Sequence, residues 1–239
     1  ALPLSRTMQY RDNNLETASL TAAAGSDDGV LVDRNGVVLG LWSSFAYESG
    51  REAQQTSRGV AIDVVADMLQ RVRDNKPLHS LEAEFATLPL ANAIRLGLSA
   101  EWMKKFEVAS PNERQVLAVT RMVGGAPAQR LLRQGDLLLA VDGQTVTRFR
   151  DVERAVADKD SVRLSIWRGD SEQQLEVGTV ALSGQDIDRV LLWAGATLQA
   201  PHRAMLAQRG MPPVGVYAGY FAYGAPAMRY GLIPGRRIV

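Results

Sequence analysis

Gly125-Ala126-Pro127-Ala128-Gln129-Arg130 returns late in the sequence as Gly224-Ala225-Pro226-Ala227-Met228-Arg229. In each copy a leucine follows with a glycine three residues beyond it, Leu132 and Gly135 in the first, Leu232 and Gly235 in the second. Self-similarity at a fixed offset means two copies of one supersecondary unit, and it constrains every other assignment. The first copy continues Gly135-Asp136-Leu137-Leu138-Leu139-Ala140-Val141-Asp142-Gly143. That order predicts a short helix of small residues, a glycine turn, an apolar strand and an Asp-Gly hairpin turn.

The flanking stretches supply the remaining elements. Val30-Leu31-Val32 and Val37 to Trp42 enclose Asp33-Arg34-Asn35-Gly36, and Asn-Gly between β-branched runs predicts a hairpin. Glu48 to Arg58 reads as a polar loop, and Gly59 to Ile62 as a short strand. Asp63 is placed to cap a helix in which Val64, Val65, Met68, Leu69 and Val72 share a face, ending at Asn75-Lys76-Pro77. Strands are expected at Glu82–Leu88, Val116–Val119 and Val162–Trp167, the last turning at Gly169-Asp170 toward Leu175–Val177. Ser99 and Thr147 are expected to cap two further helices. From Ile187 onward a strand near Leu191–Trp193, a helix near His202–Gln208 and a strand at Val214–Tyr217 lead into the second copy.

Composition excludes several classes of function. The 239 residues allow one to three domains at about 150 residues each. Hydrophobic residues make up 46%, enough for globular cores. Lys plus Arg number 27 against 26 Asp plus Glu, which leaves no electrostatic footprint for nucleic acid. Cysteine is absent, which removes disulfides and thiolate chemistry and leaves the redox compartment open. No apolar run approaches the roughly 18 residues of a membrane span, and the first residues do not read as a signal peptide. Gly235-Arg236-Arg237-Ile238-Val239 stops where the first copy enters its Asp-Gly turn, so the sequence reads as a piece of a longer protein.

The pattern of small-Pro-Ala, leucine, Gly-Asp, apolar strand and Val141-Asp142-Gly143 resembles the PDZ domain. Upstream, Gly25-Ser26-Asp27-Asp28-Gly29-Val30-Leu31-Val32-Asp33, followed by Asn35 to Leu41, resembles the nucleophile segment of trypsin-like proteases of the HtrA/DegP family. Gly59-Val60-Ala61-Ile62 and the helix after it resemble that family's closing segment. Leu88-Pro89-Leu90, Arg95 to Ser99, Glu101-Trp102 and Val38 to Trp42 are closest to one duplicated HtrA-like branch. That branch is typified by the yeast nuclear pro-apoptotic protease, in which a degenerate protease-like unit follows the active one. The resemblance implies a mixed α+β, β-rich fold: a partial trypsin-like β-barrel with its closing helix, then two PDZ-like domains, the second incomplete. The expected units are residues 1–75, 78–183 and 184–239.

The same resemblance implies that catalysis fails in this chain. The family's serine position is held by Asp27, and Asp28 replaces a glycine. A serine nucleophile needs a base and oxyanion donors. The two histidines, His79 and His202, both follow the protease-like segment, and surface or cap roles are expected for them. At ~5 Å and an effective dielectric of ~20, each carboxylate would repel an oxyanion by about 3 kcal/mol. The catalytic set is therefore read as none. No metal site or cofactor is expected, because Asp27, Asp28 and Asp33 lack the alternate spacing of a calcium loop.

In HtrA-type order the resemblance places a peptide groove between a host strand near Leu81–Leu88 and a helix near Phe149–Ala157. Its expected lining is Leu81, Glu82, Ala83 and Phe85 on one side and Phe149, Val152 and Val156 on the other. The family's loop glycine corresponds to Glu82, whose φ preference and charge disfavour a ligand's terminal carboxylate. In the second unit the matching loop is expected at Asp188-Arg189-Val190-Leu191. The expected function is peptide binding, regulation or assembly by a non-catalytic PDZ region of an HtrA-like protease. The alternatives are part of an active endopeptidase whose catalytic residues lie upstream, or a free-standing PDZ adaptor. Expected partners are peptides, unfolded segments, neighbouring domains or further copies of the chain, with no nucleic acid and no membrane span. The compartment stays open, periplasm or cell envelope being the expectation for a bacterial protein.

Overall fold

A computed structural model describes residues 14–18, 28–49, 52–182, 188–203, 205–206, 212–232 and 237–239. The Ser26-Asp27 positions fall outside these residues. Asp28 is exposed and accepts a hydrogen bond from the Ser43 hydroxyl (2.8 Å).

The first sheet is antiparallel, with β1 (Thr17–Ala18), β4 (Glu52–Ala61), β3 (Val38–Ser49) and β2 (Gly29–Val32) in that spatial order. It is open at both edges among the described residues, not a closed barrel. The Asp33–Gly36 turn forms as expected: Gly36 has φ +81°, and Asp33 Oδ1 accepts from the Asn35 and Val37 amides. Those amides hold the Asp33 carboxyl below its ordinary pKa. The polar loop expected at Glu48–Arg58 is instead a continuation of the β3–β4 ribbon, paired from Ser43↔Arg58 out to Ser49↔Glu52. Its strands lack the apolar alternation of a half-buried sheet, so periodicity could not reveal them. Gly40 is required where it sits, because a Cβ there would lie 2.6 Å from the Val60 carbonyl oxygen of the paired strand.

Helix α1 (Ile62–Arg73) follows β4 directly. Asp63 does not cap it; the N-cap is Ala61 without a side-chain bond, and Asp63 lies inside the first turn. No residue of α1 is buried, and Met68, Leu69 and Val72 are exposed.

Next, β5 (Leu78–Ser80) leads through two loop residues to β6 (Ala83–Pro89). A helix the sequence did not announce, α2 (Leu90–Arg95), precedes α3 (Ala100–Ala109), which Ser99 caps through Trp102 N as expected (3.3 Å). Then come β7 (Gln115–Met122), α4 (Pro127–Leu131), β8 (Leu137–Val141), β9 (Gln144–Thr145) and α5 (Phe149–Val156). The stretch closes with β10 (Ser161–Arg168), β11 (Ser171–Gly178) and β12 (Val180–Leu182), the last pairing with β5. The sheet order is β11-β10-β8-β7-β6, with β9 on β8, so β6 is an edge strand. Leu138 and Val141 join a core with α4 and α5, while Leu137 and Leu139 join one with α2 and α3. Burial on both faces explains why β8 reads as an unbroken apolar run. Buried Asp136 receives the Arg168 guanidinium (Nε–Oδ1 2.7 Å, Nη2–Oδ2 2.5 Å) and the Arg133 amide (2.7 Å). This pins the glycine turn to β10, and the hydrogen bond to Asp136 raises the Arg168 pKa. Thr147 does not cap α5. Asp151 instead accepts from the Arg148 amide (3.2 Å), and the Thr147 carbonyl takes Gln115 Nε2 (3.0 Å).

The third sheet has the order β13 (Val190–Trp193), β14 (Ala196–Gln199), β15 (Val216–Phe221), β16 (Arg237–Ile238), with helix α6 (Pro226–Arg229) before β16. The repeated hexapeptides share one conformation. Gly125 and Gly224 have φ +87° and +75°, and Ala126 and Ala225 cap their helices at φ −68°, ψ 152° and φ −64°, ψ 151°. Ala128 and Ala227 are fully buried, and Leu132 N and Leu232 N bond to their respective carbonyls (2.8 and 3.1 Å).

Candidate peptide groove

The repeat extends to strand register. Ala83 faces Met122 with a bulge before Phe85↔Val119, and Ala196 faces Phe221 with a bulge before Leu198↔Ala218. Glu82 therefore corresponds to Gly195. Glu82 O accepts from Val123 N (2.8 Å), and Gly195 O accepts from Ala222 N (2.7 Å). This corrects the loop expected at Asp188–Leu191: the second loop is Trp193-Ala194-Gly195, it does contain glycine, and its host strand is β14. Single-sequence spacing missed it because the two-residue turn at Ala194 and Gly195 (φ +49° and +80°) lacks the Asn-Gly signature.

Glu82 has φ +56°, so the loop adopts the left-handed backbone that glycine would supply. A side chain there costs about 1–2 kcal/mol, which its contacts offset. Its carboxylate is buried, 5% exposed, and receives Arg203 Nε at 2.6 Å. Arg203 Nη2 also donates to Ser80 Oγ (2.7 Å), which accepts the Glu82 amide (3.0 Å). Arg203 arrives from the stretch before β15, where Leu206 packs with Val123 and Ala126 and His202 Nδ1 caps the turn through Met205 N (3.2 Å). His79 lies half-buried at the other end of the loop, its Nδ1 against Thr179 Oγ1 (2.9 Å).

The residues expected to line the groove come together. Leu81, Ala83, Phe85, Val152 and Val156 are buried in one cluster, with Phe149 packed against it. They are core side chains packed between the sheet and α5. What the groove offers is the outer edge of β6, and that edge is already engaged. Asn14 Nδ2 donates to Ala83 O (2.7 Å), and Phe85 N donates to Asn14 Oδ1 (2.8 Å). One side-chain amide thus satisfies the two backbone groups that an added strand would use. Its orientation is fixed, because Ala83 O can only accept and Phe85 N can only donate. Two residues on, the Glu16 carboxylate accepts from Arg150 N in the first turn of α5 (3.3 and 3.4 Å), where a helix favours negative charge. Asn14 and Glu16 carry no local sequence signal, because both act across about seventy or more positions of chain.

Ion pairs hold α1 against α5. Arg71 binds Asp158 (2.7 Å), Arg154 binds Asp67 (2.8 Å), and Arg150 binds Asp63. The hydrogen bond from Arg71 lowers the Asp158 pKa and raises that of Arg71. Burial pushes the Asp63 carboxyl up, but the hydrogen bond and charge of Arg150, the Val64 amide and the charge of Arg154 together leave it below the ordinary range. Between the two helices a cavity of about 440 Å³ is lined by Leu15, Val64, Met68, Leu78 and Ala157 under a charged rim.

Comparison with known proteins fits this geometry. The PDZ domain family matches residues 87–167, from within β6 to the end of β10. Protease Do-like 7 of Arabidopsis thaliana is 33% identical over 94% of this chain and 23% of its own length. The pro-apoptotic serine protease NMA111 of Phaeosphaeria nodorum is 32% identical over 98% of this chain and 24% of its own. The chain thus spans about a quarter of the length of these relatives. Among solved structures, the HtrA-type protease AlgW with tripeptide covers 75% of this chain and 68% of its own at 16% identity and TM-score 0.43. The same protease with decapeptide covers 64% and 45% at 18% identity and TM-score 0.40.

Proposed function

Because this chain carries a PDZ domain and is homologous along nearly its whole length to a segment of Do-like, HtrA-type proteases, we propose that it is a non-catalytic peptide-recognition region of such a protease. It takes extended polypeptide as an added strand on β6 and so serves regulation, assembly or substrate capture. We divide it into a protease-like remnant at residues 1–75, a PDZ-like unit at 78–183 and a second at 184–239. Leu81, Glu82, Ala83 and Phe85 form the strand side of the site, and Phe149, Val152 and Val156 support the helix side.

One observation carries the reading. The outward Ala83 carbonyl and Phe85 amide are bonded by an amide group that is not part of the sheet, the Asn14 side chain. A peptide backbone presents the same donor and acceptor, and main-chain bonds to a sheet edge are how strand addition gains affinity.

The test is a titration of the isotope-labelled chain with overlapping ten-residue peptides from reduced α-lactalbumin, each in millimolar excess. Saturable amide shifts should concentrate at residues 83–89 and along α5, and the peptides should remain uncut. Binding confined to another surface, or progressive hydrolysis, would refute the proposal.

A further inference from the structure

The groove contacts have a consequence for regulation. Resting on the strand-addition reading, we infer that the β6 groove is shut in cis by the chain's own residues 14–16 and Arg203, and that its competing ligand is an internal extended segment without a free terminal carboxylate.

Closure acts at both ends of the groove. Along the strand, Asn14 consumes the Ala83 carbonyl and the Phe85 amide, and Glu16 consumes the Arg150 amide at the start of α5. At the loop, the place where a terminal carboxylate would be received holds the Glu82 carboxylate, already paired with Arg203. A free C-terminus would have to displace a buried, bonded anion, whereas an internal segment has only to displace Asn14 and Glu16. The second copy of the repeat is arranged alike. The strand edge of β14 that corresponds to the outer edge of β6 is covered by β13, paired from Val190↔Gln199 to Trp193↔Ala196. Both host strands are therefore satisfied from within the chain, by a side-chain amide in one and by a hairpin strand in the other.

The closing segment is also tethered. Residues 14–16 run directly into β1, whose Thr17 and Ala18 pair with Val60 and Gly59 of the first sheet. That sheet passes through β4 into α1, which the ion pairs hold on α5. Anything that lifts α1 from α5 draws Asn14 off β6. A tethered occupant competes at a high effective concentration, and an outside ligand sees its affinity reduced by the fraction of time the groove is open.

The experiment compares the full chain with Asn14→Ala and with Asn14→Ala/Glu16→Ala. The probe is the chain's own segment 11–18, Arg-Asp-Asn-Asn-Leu-Glu-Thr-Ala, acetylated and added in trans as the C-terminal amide or the free acid. Asn14 and Glu16 are half-buried and outside the hydrophobic core clusters, so the variants keep their cores. In the wild type, hydrogen exchange at the Phe85 amide should be slow. In the variants it should accelerate by about 10-fold, while Leu138 and Ile166 stay unchanged. The double variant should bind the amidated peptide at least about 10-fold tighter than the wild type, with no gain for the free acid. If Phe85 exchange is unchanged in the variants, or wild type and variant bind alike, closure in cis is wrong while strand addition survives. If Phe85 exchange accelerates but no peptide binds, strand addition itself is wrong. A free acid bound about 10-fold more tightly than the amide would overturn the ligand class.

Discussion

Replacing Arg203 with alanine tests the loop-end closure directly. The substitution removes the guanidinium 2.6 Å from the Glu82 carboxylate and leaves that carboxylate, 5% exposed, without this cation. Charge centres ~4 Å apart interact by about 4 kcal/mol at an effective dielectric of ~20. Arg203 is 28% exposed, so solvent screening and its recovered hydration reduce the net loss to about 2–3 kcal/mol. The Ser80 hydroxyl also loses its donor from Nη2. Urea unfolding at pH 7 should show a lower midpoint for Arg203→Ala. The double variant Arg203→Ala/Glu82→Ala should recover most of the difference, because removing both charges leaves no buried ion behind. A cost under about 0.5 kcal/mol, or two single substitutions that simply add, would show that Arg203 and Glu82 are not coupled and that the loop is open.

Three further outcomes follow from the same contacts. Glu82→Gly removes the resident carboxylate at a position with φ +56° and leaves Arg203 beside the loop; the variant should bind a free-acid peptide about 10-fold more tightly than its amide, and adding Val152→Asp should abolish that gain by burying a charge beneath the groove. Equal binding of acid and amide would place the carboxylate loop elsewhere. The α1–α5 ion pairs involve exposed aspartates (Asp158 65%, Asp67 53%), so raising salt from about 0.1 M to about 1 M, which shortens the Debye length from ~10 to ~3 Å, should speed Phe85 exchange several-fold. Because Asp158 and Asp63 titrate below their ordinary range, the latch should be indifferent to pH between about 5 and 8 and be lost as pH falls below about 4. Salt-independent exchange, or loosening already at pH 6, would contradict an ionic latch.

Much of the scaffold was legible residue by residue. Gly-Ala-Pro-Ala fixes a positive-φ glycine, an extended cap and a proline at the first helical position, and both copies take that shape wherever they occur. Asn35-Gly36, Asp142-Gly143 and Gly169-Asp170 fix their turns because their backbones enter the left-handed region. Ser99 three residues before Trp102 fixes the start of α3. These are local constraints, satisfied within a few residues. The β3–β4 ribbon escaped because the stretch from Glu48 to Arg58 shows no apolar alternation in sequence, and α2 escaped because six residues are too few to display a helical period.

Sequence by itself therefore determined the repeat, the turns, the host strand β6 and helix α5, and the position of a carboxylate where a loop glycine is expected. The resemblance to HtrA-type order also placed Leu81, Ala83, Phe85, Val152 and Val156 together, and they share one buried cluster. Only the tertiary structure decided what the groove holds. Whether Glu82 repels a ligand or is neutralised depends on Arg203, 121 positions away. Whether the edge of β6 is free depends on Asn14, 71 positions before Phe85. Such contacts are made by single polar side chains with no periodicity, and their partners are chosen by how the units dock rather than by local preference. The chain's own order states which elements exist; the docking of those elements states which edge is covered, and by what.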